Sequence, residues 1–243
     1  MLASYLTRTE QLLQNPGAPN SLYSASDLTE YINLARGQMA GDAECIRIYT
    51  TLPVTLGTQQ YPFSAINLAS AVGVRGVLNV RTSWLQIASG QAWMRPRPFE
   101  WFSLYELNNP VPQQGQPKVW SQFAQGVAGS IFVSPVPDAA YVLQLDTLCY
   151  PIDLLDDTTV EAIPFPWTDA VPFLAAYYAL LSAQSAARQA DADRMFARYE
   201  EYRNRARRFS NPVVMPYIYP QVGDPVRANK LGEQPAGGGG GQG

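Results

Sequence analysis

Arg194, Arg198, Arg203, Arg205, Arg207 and Arg208 crowd the end of a stretch, Phe173 to Phe209, that contains neither Gly nor Pro. A guanidinium is permanently charged and planar, and its fork of donors pairs bidentately with carboxylates or phosphates. Such a cluster can grip acidic groups on a neighbouring subunit. A plainer reading stands beside it, because cations at a helix C-terminus gain about 0.3 to 1 kcal/mol each when exposed and can simply be solvated. Six arginines exceed that need, and contact with DNA phosphates is a third reading. The other groups that could do chemistry are sparser. Glu100 and Glu106 are candidates for the paired carboxylates of a glycosidase, but they are spaced for one face of a strand and nothing else marks a cleft. Asp153, Asp156 and Asp157 could attract a divalent ion, yet they lack calcium-loop spacing and read as solvated turn residues.

Histidine is absent from the whole chain. That removes the usual general base and the commonest metal ligand, and with them most hydrolase constellations. No catalytic, metal or cofactor residue is therefore assigned. Cys45 and Cys149 lack CxxC spacing and read as buried thiols. Trp84, Trp93, Trp101, Trp120 and Trp167 fall in or beside one region, where packing is the plain reading and a sugar-stacking or subunit-contact surface the functional one.

The elements that must carry these residues follow from periodicity. Leu2, Tyr5, Leu6, Leu12 and Leu13 mark a first helix that stops at Asn15-Pro16-Gly17. A second is expected to start with Ser26 as its cap, to carry Leu28, Tyr31, Ile32, Ala35 and Met39 on one face, and to end at Gly41. From Cys45 the period changes to short strands and turns, with segments at Val74 to Ala88, Trp101 to Leu107, Val119 to Phe123, Ser130 to Val133 and Ala140 to Tyr150. Turn-rich stretches at Asn108 to Pro117 and Ser134 to Asp138 separate them, which suits an antiparallel sandwich or open barrel.

Helical spacing returns with Phe173, Leu174, Tyr177, Tyr178 and Leu181. It continues with Met195, Tyr199, Tyr202, Ala206 and Phe209 along one stripe. Asp191 and Asp193 could cap a fresh helix at Arg194 and make a hairpin; one long bent helix is the alternative. Beyond the helix, Met215, Tyr217, Ile218 and Tyr219 lie in a Pro-containing stretch suited to an extended peptide with aromatic anchors, and a glycine run follows.

The expected class is thus α+β. Residues 1–44 and 163–211 form the halves of a four-helix bundle, residues 45–162 an inserted β domain, and residues 212–243 an extended tail. At 243 residues and 47% hydrophobic the chain can bury one good core or two small ones. Twenty acidic against 17 basic residues leave a formal charge of −3, which disfavours bulk nucleic-acid binding. No apolar run approaches the roughly 20 residues needed to cross a bilayer. Met1 to Glu10 lacks the pattern of a signal peptide, so an intracellular start is expected.

An ordered set of short pieces carries a resemblance over about Ser26 to Phe209. It comprises Tyr31-Ile32-Asn33-Leu34-Ala35-Arg36, Thr55-Leu56-Gly57-Thr58-Gln59-Gln60-Tyr61-Pro62-Phe63 and Gln116-Pro117-Lys118-Val119-Trp120. Phe132-Val133-Ser134-Pro135-Val136-Pro137-Asp138-Ala139-Ala140-Tyr141, Tyr150-Pro151-Ile152-Asp153-Leu154 and Ala175-Ala176-Tyr177-Tyr178-Ala179-Leu180 complete it. In these the chain resembles the head-to-tail adaptor proteins of tailed bacteriophages. The resemblance implies a structural virion protein, made in the host cytoplasm, that forms a twelve-subunit ring. Such a ring docks on the portal protein, meets a tail nozzle or tail-tube protein, and leaves a channel through which the genome passes without sequence-specific binding. It implies no catalytic residues and no cofactor. On that basis the arginines become candidates for a subunit or portal interface, and Met215, Tyr217, Ile218 and Tyr219 candidates for a portal-binding tail. A carbohydrate-binding or tail-spike module built on the tryptophans is the alternative.

Overall fold

The computed structural model describes residues 1–15, 21–88, 90–109, 112–182 and 188–210. The chain is α+β. Helix α1 (Leu2–Leu13) ends where Gln14 turns into the left-handed region, at φ 50°. Helix α2 (Ala25–Ala43) starts two residues earlier than expected: Ser24, not Ser26, is the cap, and it shares a reciprocal capping box with Asp27. It also runs past Gly41, ending at Glu44.

The strands follow in order as β1 (Arg47–Val54), β2 (Gln60–Pro62), β3 (Val74–Ile87), β4 (Gly90–Trp93) and β5 (Arg95–Pro96). After a helical interruption come β6 (Gln114–Gly115), β7 (Val119–Phe123), β8 (Ser130–Ser134), β9 (Val136–Pro137) and β10 (Tyr141–Pro151). The interruption corrects an expectation. Trp101 to Leu107 is not a strand: Phe99–Phe102 form helix α3, and Ser103–Leu107 continue it as a π-helical turn. Phe99 and Phe102 are three apart and both stack on Phe132, at 5.1 and 5.7 Å between ring centres. That helical spacing outweighs the β propensity of the aromatics.

One sheet has the order β1-β10-β3-β4, antiparallel throughout, and a second has the order β2-β8-β7-β5, in which β5 runs parallel to β7. Strands β6 and β9 pair separately, also in parallel. Among the described residues no closed barrel forms. Leu52, Val54, Leu85, Leu143 and Leu145 of the first sheet share one core with Tyr61, Trp120, Ile131 and Val133 of the second. Alternation then turns Tyr49, Trp84 and Gln144 to the opposite face of the first sheet and Ser121, Phe132 and Phe123 to the opposite face of the second.

Helix α4 (Val171–Ser182) touches α1, α2 and α5 (Gln189–Ser210). Its Ala175, Ala176 and Ala179 are fully buried, and small side chains there let several neighbours approach. The two helices are separate elements, and α5 begins at Gln189, upstream of Asp191 and Asp193; Asp191 lies in its first turn instead of capping a helix at Arg194. Within the stripe of α5, Tyr199 and Ala206 are buried and Met195 and Tyr202 half-buried. Phe209 is 74% exposed.

A candidate interaction surface

The six arginines do not share one environment. Arg194 pairs with Asp191 at 3.3 Å, Arg198 with Glu201, and Arg203 with Glu200 at 2.9 Å, each within α5. Such exposed pairs stabilise a helix by a few tenths of a kcal/mol and leave their heads in water. Arg205, Arg207 and Arg208 are exposed, and among the described residues no carboxylate pairs with them. Arg205, Arg208 and Phe209 stand at i, i+3 and i+4 and so share a flank of α5, while Arg207 projects on the other side. The free part of the expected cluster is therefore narrower than its sequence spacing implies.

The end of α5 is held in place. Arg47 Nη1 donates to the Ser210 carbonyl at 3.0 Å, Arg81 Nη1 reaches the same oxygen at 3.4 Å, and Arg47 also pairs with Asp146. Phe209 leans on Trp167 with ring centres 5.8 Å apart. Met215, Tyr217, Ile218 and Tyr219 lie outside the described residues.

Glu100 and Glu106, expected on one face of a strand, lie on α3 and its π-helical continuation. Leu104 and Tyr105 beside them are 66% and 63% exposed, and Trp101 packs against Tyr105 with Arg97 over its ring at 5.2 Å. Sequence reasoning missed this surface. The run from Phe99 to Leu107 lacks Gly and Pro, and the spacing Phe99, Phe102 and Trp101, Tyr105 was the available signal.

The tryptophans divide. Trp120 is buried and Trp167 packs under Phe209. Trp84 and Trp93 are cross-strand partners on β3 and β4, with Tyr49 6.0 Å from Trp84 and both Tyr49 and Gln91 bonded to Gln144. Asp156 is committed to a turn: its carboxylate accepts from the Thr158 and Thr159 amides and hydroxyls, and these bonds hold it below the usual carboxylate range. Asp157 accepts from the Met1 amino group and the Ala3 amide, which lower it likewise. Asp153 faces Arg75 at 3.8 Å. No group of three or more metal-ligating side chains converges among the described residues. Burial pushes the Cys45 thiol up to about 12 and raises Cys149 as well, so both stay protonated.

Underneath these surfaces lies a buried ionic junction that the sequence did not announce. Arg36 is fully buried in α2; its Nε and Nη2 donate to the two oxygens of Glu161 at 2.9 and 2.8 Å, and Nη1 donates to the Ile152 carbonyl at 2.7 Å. Tyr5 of α1 donates to the same carboxylate at 2.9 Å, and burial beside that charge raises its phenol. Asn33 completes the junction by accepting from the Leu154 amide and donating to the Leu154 carbonyl. Two of the short pieces noted in the sequence, Tyr31 to Arg36 and Tyr150 to Leu154, are thus one physical unit that ties the helices to the chain leaving β10.

A family model described as the SU10 adaptor protein matches residues 2–216. The match spans every described element and takes in Met215, but stops before Tyr217. No curated protein matches the chain. No described helix is long and apolar enough to cross a membrane.

Proposed function

Because this chain belongs to the SU10 adaptor protein family, we propose that it is a structural, non-enzymatic component of the tailed-phage virion that joins the head to the tail. The match over residues 2–216 is the observation that carries this reading. In it, copies of the chain stand side by side as a ring of twelve, docked on the portal protein and facing a nozzle or tail-tube protein, with the genome passing through the channel they enclose. Helices α1, α2, α4 and α5 act as one rigid wedge, and the two four-stranded sheets form the body it carries.

Two features of the molecule support a mechanical role. The Arg36–Glu161 junction fixes the helices to the sheets through charge-assisted bonds that are shielded from solvent, so force applied to one part is passed to the other. The arginine flank of α5 and the tail residues Met215, Tyr217, Ile218 and Tyr219 supply contacts that are individually modest. Repeated around a ring they act at high effective concentration. Free chains are therefore expected to be monomeric or weakly associated and to assemble on the portal.

Electron-microscopy class averages of the protein mixed with candidate portal rings test the reading. Added density with the portal's rotational symmetry is expected, and a chain truncated from Val213 onward should decorate fewer rings. A full-length chain that leaves every portal bare would overturn the proposal. The row Tyr49, Trp84 and Trp93 on an open sheet face keeps a second, glycan-binding reading in view. Glycan-array binding that disappears with Trp93→Ala would favour it.

A further inference from the structure

The described part of the molecule carries two exposed patches of opposite character. The first is acidic and apolar: Glu100, Leu104 and Tyr105 on the solvent side of α3 and its π-helical turn, with Glu106 beside them. Among the described residues no cation pairs with either carboxylate. The second is basic and aromatic: Arg205, Arg208 and Phe209 on one flank of α5, its guanidinium groups likewise without a carboxylate. Each patch leaves charged side chains without an ion-pair partner among the described residues and large apolar surface in water, and the unpaired charges of the two are opposite in sign.

Among the described residues they do not pair with one another within a chain. Helix α3 lies on Phe132 and Phe123, which is the face of the second sheet turned away from the shared core. The end of α5 is bound by Arg47, on the face of the first sheet turned away from that same core. The patches therefore lie against different sheets. A surface whose complement is a different patch of the same molecule makes a heterologous contact with a second copy, and repetition of such a contact yields a closed ring or an open filament.

We propose that the acidic π-helical patch of one copy docks on the α5 basic flank of the next, Glu100 facing Arg205 and Arg208 while Leu104 and Tyr105 cover Phe209. The occupant of each patch is thus a second copy of this chain. This inference rests on the ring reading above and gives it a specific self-contact. Exposed charge pairs contribute little individually, so the contact is weak in free solution and serves mainly to set orientation and exclude misdocked neighbours.

Site-specific cross-linking of the full chain tests it. The native thiols, Cys45 and Cys149, are buried and held protonated, so introduced cysteines dominate the chemistry. A mixture of Leu104→Cys and Phe209→Cys chains, joined by a short thiol-reactive cross-linker, should give a dimer linking the two different sites, and the doubly substituted chain a ladder of higher species. Glu100→Arg alone or Arg208→Glu alone should lower the yield about tenfold, and the two reversals combined should restore it. All four positions are exposed, so folding is not at risk. Rings visible by electron microscopy without any link between positions 104 and 209 would overturn this contact and leave the ring reading standing. Absence of assembly both alone and on portal rings would overturn both.

Discussion

At the scale of single residues, the most demanding group is Arg36. A buried guanidinium survives only where every donor has a partner, and here a carboxylate, a carbonyl and an amide oxygen meet it while the side chain is 0% exposed. Removing one member strands the other, a penalty of about 3 to 5 kcal/mol. Arg36→Ala or Glu161→Ala should therefore lower unfolding free energy by that order in denaturant titrations, whereas removing the exposed Arg198 should change it by less than about 1 kcal/mol. Asp156 predicts a pH signature. Its carboxyl is depressed below the ordinary 3.8 by the Thr158 and Thr159 bonds, so its contribution is complete above that value and is lost as pH falls through the lower native one. Thermal melts of Asp156→Ala and the unsubstituted chain should differ at neutral pH and converge below about pH 3.8.

At the scale of elements, the cap of α2 decides where the second helix begins. Ser24 Oγ accepts from the Asp27 amide at 3.1 Å while Asp27 accepts from the Ser24 amide at 3.3 Å, so Ser24→Ala should cost about 1 kcal/mol, measurable by the same titration, and Ser26→Ala much less. Periodicity pointed to Ser26, and the reciprocal carboxylate of Asp27, three residues after Ser24, places the cap at Ser24 instead. Legibility varied for similar reasons elsewhere. Strand β7 is found where alternation placed it, Val119 to Phe123, and β3 and β10 lie within a residue of their expected ends. In contrast, the Trp101 to Leu107 segment was misread because aromatic side chains favour strands on average, and only its docking on Phe132 selects a helix. The short strands β4, β5, β6 and β9 had no periodic signal at all, since two to four residues are too few to show one. Among the candidate site residues, the α5 arginines were legible as a group, but their division into paired and unpaired members depends on which carboxylates lie one turn away.

At the scale of the whole molecule, family membership rests on nearly the full chain, and the fold explains why separated pieces of sequence travel together. Thr55 to Phe63 forms a turn pinned by Tyr61, whose hydroxyl accepts from the Thr55 amide at 3.0 Å and lies 2.7 Å from the Thr58 carbonyl, while the Gly57 amide reaches Pro137 at 2.9 Å. That last bond ties one recognised piece to another, Phe132 to Tyr141, across the body. Gly57 itself sits at φ 76°, where a side chain would be strained. The Arg36 junction ties α1 and α2 to the chain leaving β10, so movement of the helices against that segment is restricted. The clasp of Arg47 and Arg81 on Ser210 has a mechanical corollary. Tension exerted on the polypeptide downstream of residue 210 reaches β1 and β3 through these bonds as well as α5 through its backbone, and both strands are hydrogen-bonded to β10 along their length. Such ladders resist pulling when their bonds are loaded together, which makes this corner a strain relief, like the collar where a cable enters its housing.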